Sequence, residues 1–190
     1  MESTSPMRLS FEIRQMSPQQ KLPSPDVGGM SRSARVMALL GLQYTRPFHR
    51  DALFLFFFAL GPAVWLSMTV LFALQPSPRH ALWSPVFLSV ALWQPLCEEL
   101  LFRGLIQGHL LESMPKQKTW LGLSISNLLT SCLFSLAHLA NHSVSWSLLV
   151  FLPSLCFGFM RDRFGSVYPS ILLHVFYNGG YFLLIGSATR

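Results

Sequence analysis

Residues 82–111 read as one long apolar stretch, yet Cys97-Glu98-Glu99-Leu100-Leu101-Phe102-Arg103-Gly104 sets three charges in its middle. An apolar run of this length crosses a bilayer as a helix. A charged side chain at mid-bilayer costs on the order of 3 kcal/mol or more, so such residues face a cavity, a partner or a reaction. Helical spacing sorts the three charges. Glu99 and Arg103 are four residues apart and share a face, where they can neutralise each other. Glu98 and Arg103 are five apart, roughly 140° around the helix. Glu98 is the carboxylate left over, and a spare intramembrane carboxylate is a candidate base.

Four further apolar segments accompany this one, at about residues 52–74, 119–140, 144–160 and 166–186. Each is near or above the roughly 17–25 residues that span a bilayer, the segment at 144–160 being marginal. None carries the sustained polar stripe of a soluble amphipathic helix. Alternating polar–apolar runs bounded by turns, the mark of strands, are absent. The expected fold is therefore all-α, a polytopic membrane helix bundle of about five transmembrane spans over residues 51–190.

The net charge of +6 would suit a nucleic-acid partner, but its placement follows membrane topology instead. Arg8, Arg14, Lys21, Arg32, Arg35, Arg46 and Arg50 precede the first segment. On a five-span path the same side receives Lys116, Lys118, Arg161 and Arg163, while the other side holds only Arg79 and Arg190. Such an asymmetry places the N-terminus in the cytoplasm and the C-terminus outside. Together with the short chain and the lack of a cleavable signal order, it predicts a bacterial inner-membrane protein with no nucleic-acid partner.

Residues 1–50 form a separate zone with Pro6, Pro18, Pro23 and Pro25 among scattered Ser, Gln and Met. Its composition predicts a basic disordered tail, with a short helix over about residues 32–42 suited to the membrane surface. Met7, Met16 and Met30 are further candidate starts. Cys97, Cys132 and Cys156 all fall in predicted spans and read as small apolar residues, with no CxxC spacing for a metal. Cys97 lacks the neighbouring histidine or cation that would activate a thiolate.

Two other segments carry strong polar groups. The third ends in Phe134-Ser135-Leu136-Ala137-His138, and the fifth contains His174-Val175-Phe176-Tyr177-Asn178. His174 and Asn178 are four apart and lie on one face, about 6 Å from each other along the axis. One histidine in an apolar helix is most simply interhelical glue. Two histidines, an asparagine and an excess carboxylate on three spans point instead to a shared site. At about 1.5 Å per residue from the cytoplasmic ends, Glu98 lies roughly 20 Å deep, Asn178 roughly 18 Å, His174 about 12 Å and His138 about 30 Å. Tilt can bring these depths together, and Pro95, one turn before Glu98, can kink its span and open room for water.

The order Glu-Glu-x-x-x-Arg, Phe-x-x-x-His and His-x-x-x-Asn on successive spans resembles the CAAX-protease and bacteriocin-processing family, also called the CPBP or Abi family, of intramembrane endopeptidases. The resemblance covers about residues 93–178. It implies a helical membrane bundle enclosing a water-accessible catalytic cavity. It also implies that Glu98 and His138 activate the hydrolytic water, that His174 and Asn178 stabilise the oxyanion, and that Glu99 and Arg103 support them. Amide hydrolysis needs such a base and such donors in any case. No GxSxG elbow offers a serine alternative.

Two histidines and a carboxylate are also zinc ligand types, though the H-E-x-x-H spacing is absent. A metal-free glutamate mechanism is the preferred reading, with zinc left open. Rival readings are a non-catalytic membrane interaction or bacteriocin self-immunity protein, and a transport or bis-histidine haem protein. Gly104 and Gly108 form a GxxxG pair suited to close helix packing. The implied partners are membrane lipid and a protein substrate with a hydrophobic C-terminal segment. The charge count and the depth of Glu98 and His138 favour an exported protein over a prenylated cytosolic one, as in the small sorting-signal proteases of the JDVT-CTERM type that the chain resembles.

Overall fold

The computed structural model describes residues 31–44, 47–71, 84–115, 117, 119–120 and 122–184. Residues 1–30 of the tail expected over residues 1–50 lie outside them, as do the topology-setting residues Arg46, Arg79, Lys116, Lys118 and Arg190. The described residues form six helices: α1 (Arg32–Leu39), α2 (Ala52–Leu71), α3 (Pro85–Ser113), α4 (Ile125–His138), α5 (Val144–Phe164) and α6 (Tyr168–Leu184). Three of them, α3, α5 and the Ala52–Val70 stretch of α2, are long and apolar enough to cross a membrane.

Local chemistry sets the helix starts. Ser31, Ser84, Ser124 and Ser143 each accept a hydrogen bond from the backbone N–H three residues on, satisfying donors that a helix start leaves open. Asp51 does the same for Leu53 and Phe54 ahead of α2. Pro85 follows its cap at the first helical position, where a missing N–H is harmless. Gly165 ends α5 with φ 65°, a left-handed turn that favours glycine.

The third apolar segment is helical over less of its length than the sequence implies. Residues 119–124 form a small antiparallel hairpin, β1 (Thr119–Trp120) against β2 (Leu123–Ser124), with Gly122 at φ 80° in its turn. The cap at Ser124 then starts α4, leaving it 14 residues. At the other end of the chain's loop count, Arg161 lies buried in the last turn of α5 and not in a loop. Its guanidinium is satisfied there by carbonyl oxygens.

α6 packs against α2, α3 and α5, and α4 packs against α5 and α3. An aromatic layer joins α2 to α6, with Phe58 stacked on Phe176 at 3.9 Å and Tyr177 donating to the Phe57 carbonyl at 2.5 Å. The apolar core proper is small: Phe54, Phe157, Met160, Phe164 and Leu173. Among the described residues, buried polar or charged side chains outnumber buried hydrophobic ones, fifteen to nine. Leucines and valines of α2 to α5 stand outward, Leu66, Val70, Leu136 and Leu152 among them. This is the reverse of a water-soluble protein and matches a bundle whose outer face meets lipid.

The GxxxG pair of α3 does serve close packing. A Cβ on Gly108 would collide with the Leu39 carbonyl oxygen, and one on Gly104 would press on that of Leu40. The partner is thus the C-terminal end of α1, which lies in the zone read from sequence as tail.

Candidate active site

The glutamate pair sits on Gln94–Glu99, a regular turn of α3 between two widened stretches, Leu88–Trp93 and Leu100–Ile106, in which N–H groups bond five residues back. Such π-type turns occur often at functional sites. Pro95 lies buried in the turn itself. It cannot supply the N–H that an unbroken helix would need there.

Successive helical residues point about 100° apart, and the two glutamates meet different surroundings. Glu99 is fully buried and forms an ion pair with the equally buried Arg103, Oε2 to Nε at 3.3 Å. Its other oxygen, Oε1, lies 2.8 Å from Nδ1 of His174 on α6. Glu98 keeps 32% of its side chain exposed, with Oε2 3.6 Å from Nε2 of the same histidine. His174 therefore stands between the two carboxylates, one at each ring nitrogen. A carboxylate at Nδ1 fixes the orientation of an imidazole and the nitrogen that carries its proton.

Two phenylalanines box in these groups. Phe157 of α5 stacks on His174 at 4.7 Å, and Phe134 of α4 meets the same ring edge-on at 5.9 Å. The Arg103 guanidinium lies over both rings, 4.8 Å from Phe134 and 5.6 Å from Phe157. Its NH2 donates to Ser154 twice, to the carbonyl at 2.8 Å and to Oγ at 2.7 Å. A buried cation is thus balanced by one carboxylate, one serine and two π faces.

His138 closes the same wall from the end of α4, its ring 4.5 Å from that of Phe134. Its Nδ1 lies 2.9 Å from the Phe134 carbonyl, so Nδ1–H donates and Nε2 is left to act as an acceptor. No hydrogen bond joins His138 to Glu98 or His174 among the described residues. Asn178 is not in that chain of contacts either. Its Nδ2 donates to the Val90 carbonyl at 3.2 Å, holding α6 to α3 next to the glutamate turn. The structure thus joins Glu98, Glu99, Arg103 and His174 directly, reaches His138 through Phe134, and bonds Asn178 to Val90 instead.

Residues 80–180 match the family described as type II CAAX prenyl endopeptidase, Rce1-like. The chain belongs to this family. The match contains all the site residues named above, from Glu98 to Asn178. Comparisons with curated proteins and with solved structures give no match.

Sequence spacing alone did not bring out Ser154 and Phe157. The signal was present: Ser154, Phe157, Gly158 and Arg161 recur at helical spacing and form one buried face of α5. A second extension runs outward from His138. His142 stacks on it at 5.7 Å, Trp146 lies 6.2 Å beyond, and Tyr181 of α6 follows at 5.3 Å. As for a metal, no group of three or more His, Cys, Asp or Glu side chains among the described residues could hold one. Both nitrogens of His174 already face carboxylates.

Proposed function

We propose that this chain is an intramembrane endopeptidase that hydrolyses a peptide bond in or beside the membrane-associated C-terminal segment of a substrate protein. The observation that carries the reading is the chain of contacts Arg103–Glu99–His174–Glu98, which ends on the one member of the glutamate pair that is not buried. Glu98 takes the proton of the attacking water, with His138 accepting through Nε2, and returns a proton to the leaving amine. His174 and the second N–H of Asn178 stabilise the developing oxyanion. Glu99 and Arg103 act through His174, holding its ring in place. Arg103 and Glu99 cancel in formal charge, which suits a pair held away from bulk water.

The mechanism proposed uses no metal. In this reading α4 and α6 complete a five-span path with a cytoplasmic N-terminus and an external C-terminus in a bacterial inner membrane. The substrate is an exported protein with a hydrophobic C-terminal sorting segment.

The test uses wild-type and Glu98→Gln chains in the producing cell and after purification into liposomes. We expect the variant to stay folded, to lose cleavage, and to let an exported protein accumulate with its hydrophobic tail uncut. Full turnover by Glu98→Gln would remove Glu98 from the mechanism. Accumulation of an uncut prenylated cytosolic protein would overturn the substrate class, and activity lost to a chelator and restored only by zinc would overturn the metal-free chemistry.

A further inference from the structure

Each widened turn of α3 ends by releasing a carbonyl oxygen. The Gln94 N–H bonds to Ser89 and not to Val90, and the next residue, Pro95, has no N–H to offer. Likewise the Gln107 N–H bonds to Phe102 and leaves the Arg103 carbonyl. Away from water, a carbonyl without a donor is costly. Both receive one from another helix. Asn178 Nδ2 donates to Val90 at 3.2 Å, and Arg161 Nε donates to Arg103 at 3.1 Å. The glutamate turn is therefore fastened at both ends by side chains from α6 and α5.

The second fastening reaches further. NH2 of Arg161 also donates to the Leu39 carbonyl at 2.8 Å. That carbonyl sits directly over Gly108, with no room for a Cβ between them. Two residues on, the Gly41 carbonyl accepts from the Val167 N–H at 3.0 Å, so the end of α1 is seated against α3, α5 and the start of α6. One buried guanidinium thus ties the N-terminal segment to the backbone of Arg103, the residue paired with Glu99.

We propose that Arg161 is a positioning residue that couples the seating of residues 39–41 to the geometry of the glutamate turn, so that the site is fully formed only with the N-terminal segment docked. The inference rests on the peptidase reading for its activity readout and on the contacts above for its structural one. Unseating the segment leaves Arg161 NH2 without its acceptor and lets the guanidinium follow water or the chain end. The Arg103 carbonyl then loses its donor and the widened turn relaxes. A displacement of about 1 Å at a reacting group costs on the order of 10²-fold in rate.

Gly108→Ala is the decisive variant. Its Cβ would meet the Leu39 carbonyl and, at an ordinary contact distance of 3.6 Å, NH2 of Arg161; it lies about 15 Å along the helix from Glu98 and raises helix propensity, so lost activity cannot come from a weakened helix. The full chain in liposomes is compared as wild type, Gly108→Ala and Arg161→Gln, by hydrogen exchange and by cleavage kinetics. We expect both variants to exchange faster over residues 32–42 and 100–107. We expect kcat to fall about 10²-fold with KM changed by less than about threefold, the split that misplacement predicts and loss of substrate binding does not. Gly108→Ala with a released segment and wild-type kcat would overturn the coupling. Wild-type exchange over residues 32–42 in Gly108→Ala would overturn the close seating on which it depends. Cleavage by Arg161→Gln at the wild-type rate would overturn the role of Arg161. Should the wild type cleave nothing, the peptidase reading fails separately, and unchanged exchange over residues 100–107 in Gly108→Ala then refutes the coupling by itself.

Discussion

Glu98 and Glu99 are neighbours in sequence, and the same substitution at each should give different phenotypes. Glu99→Gln removes the charge that faces Arg103 at 3.3 Å, with both side chains wholly buried, and the acceptor that holds His174 Nδ1. Breaking a buried pair by neutralising one partner costs about 3–5 kcal/mol, because the other charge is left uncompensated. The two π faces and Ser154 that also surround Arg103 place the effect toward the lower figure. Against a total stability of about 5–15 kcal/mol, that is a large loss. Glu98 is one-third exposed and its ion pair with His174 is long, at 3.6 Å, so Glu98→Gln should change stability by less than about 1 kcal/mol. Denaturant titration in mixed micelles, followed by tryptophan fluorescence, reads stability, and cleavage of a reporter substrate reads turnover. Glu99→Gln should lose on both measurements, and Glu98→Gln on turnover alone. A Glu99→Gln chain as stable as wild type would refute the burial argument, and a Glu98→Gln chain that unfolds would refute the division of labour between the two.

Phe157→Leu keeps the apolar volume but removes the ring stacked on His174 and facing Arg103; at about 0.5–1.5 kcal/mol for an aromatic contact, kcat should fall by up to about 10-fold with little change in KM in the same assay. Asn178→Ala leaves the Val90 carbonyl without its side-chain donor and should lower stability by about 1–3 kcal/mol in micelle unfolding, besides lowering turnover; unchanged unfolding would remove the fastening role. Asp51, ahead of the first apolar helix, is pushed up by partial burial but pulled down further by its hydrogen bonds and charge contact with Arg163 and by the N–H groups of α2, leaving it below the ordinary value of 3.8. A carboxylate lowered on folding stabilises the fold above its ordinary value and loses that contribution as pH falls through the lowered one, so wild type and Arg163→Ala should differ in stability by less than about 1 kcal/mol near neutrality and converge below about pH 4.

What could be read from the sequence was what helices decide locally. The pairing of Glu99 with Arg103 follows from a spacing of four, and the separation of Glu98 from both follows from the same rotation per residue. The close packing at Gly104 and Gly108 was legible in kind but not in partner, because which backbone approaches a small residue is settled by the tertiary path. The role of Glu99 toward His174 could not be read, since it joins helices 75 residues apart. Arg161 counted toward topology as a loop charge, and nothing in its immediate neighbours signals burial; the carbonyls that accept from it exist only because α3 widens and α1 docks. The hydrophobicity of residues 119–140 overstates α4, since Gly122 and the Ser124 cap redirect the backbone while the composition stays apolar.

An interior richer in hydroxyls, amides and charges than in hydrocarbon has a consequence for how this sequence can drift. The outward leucines and valines answer to a solvent that asks only for grease, so Leu, Ile, Val and Phe are interchangeable there and identity carries little information. The inward serines, Asn127, Gln107 and Arg103 answer to particular partners at particular angles, and a substitution there fails even when it is more hydrophobic. A saturation-mutagenesis map of the chain would therefore show a cold polar axis inside a permissive apolar sleeve, the inverse of the map a cytosolic enzyme of this length gives.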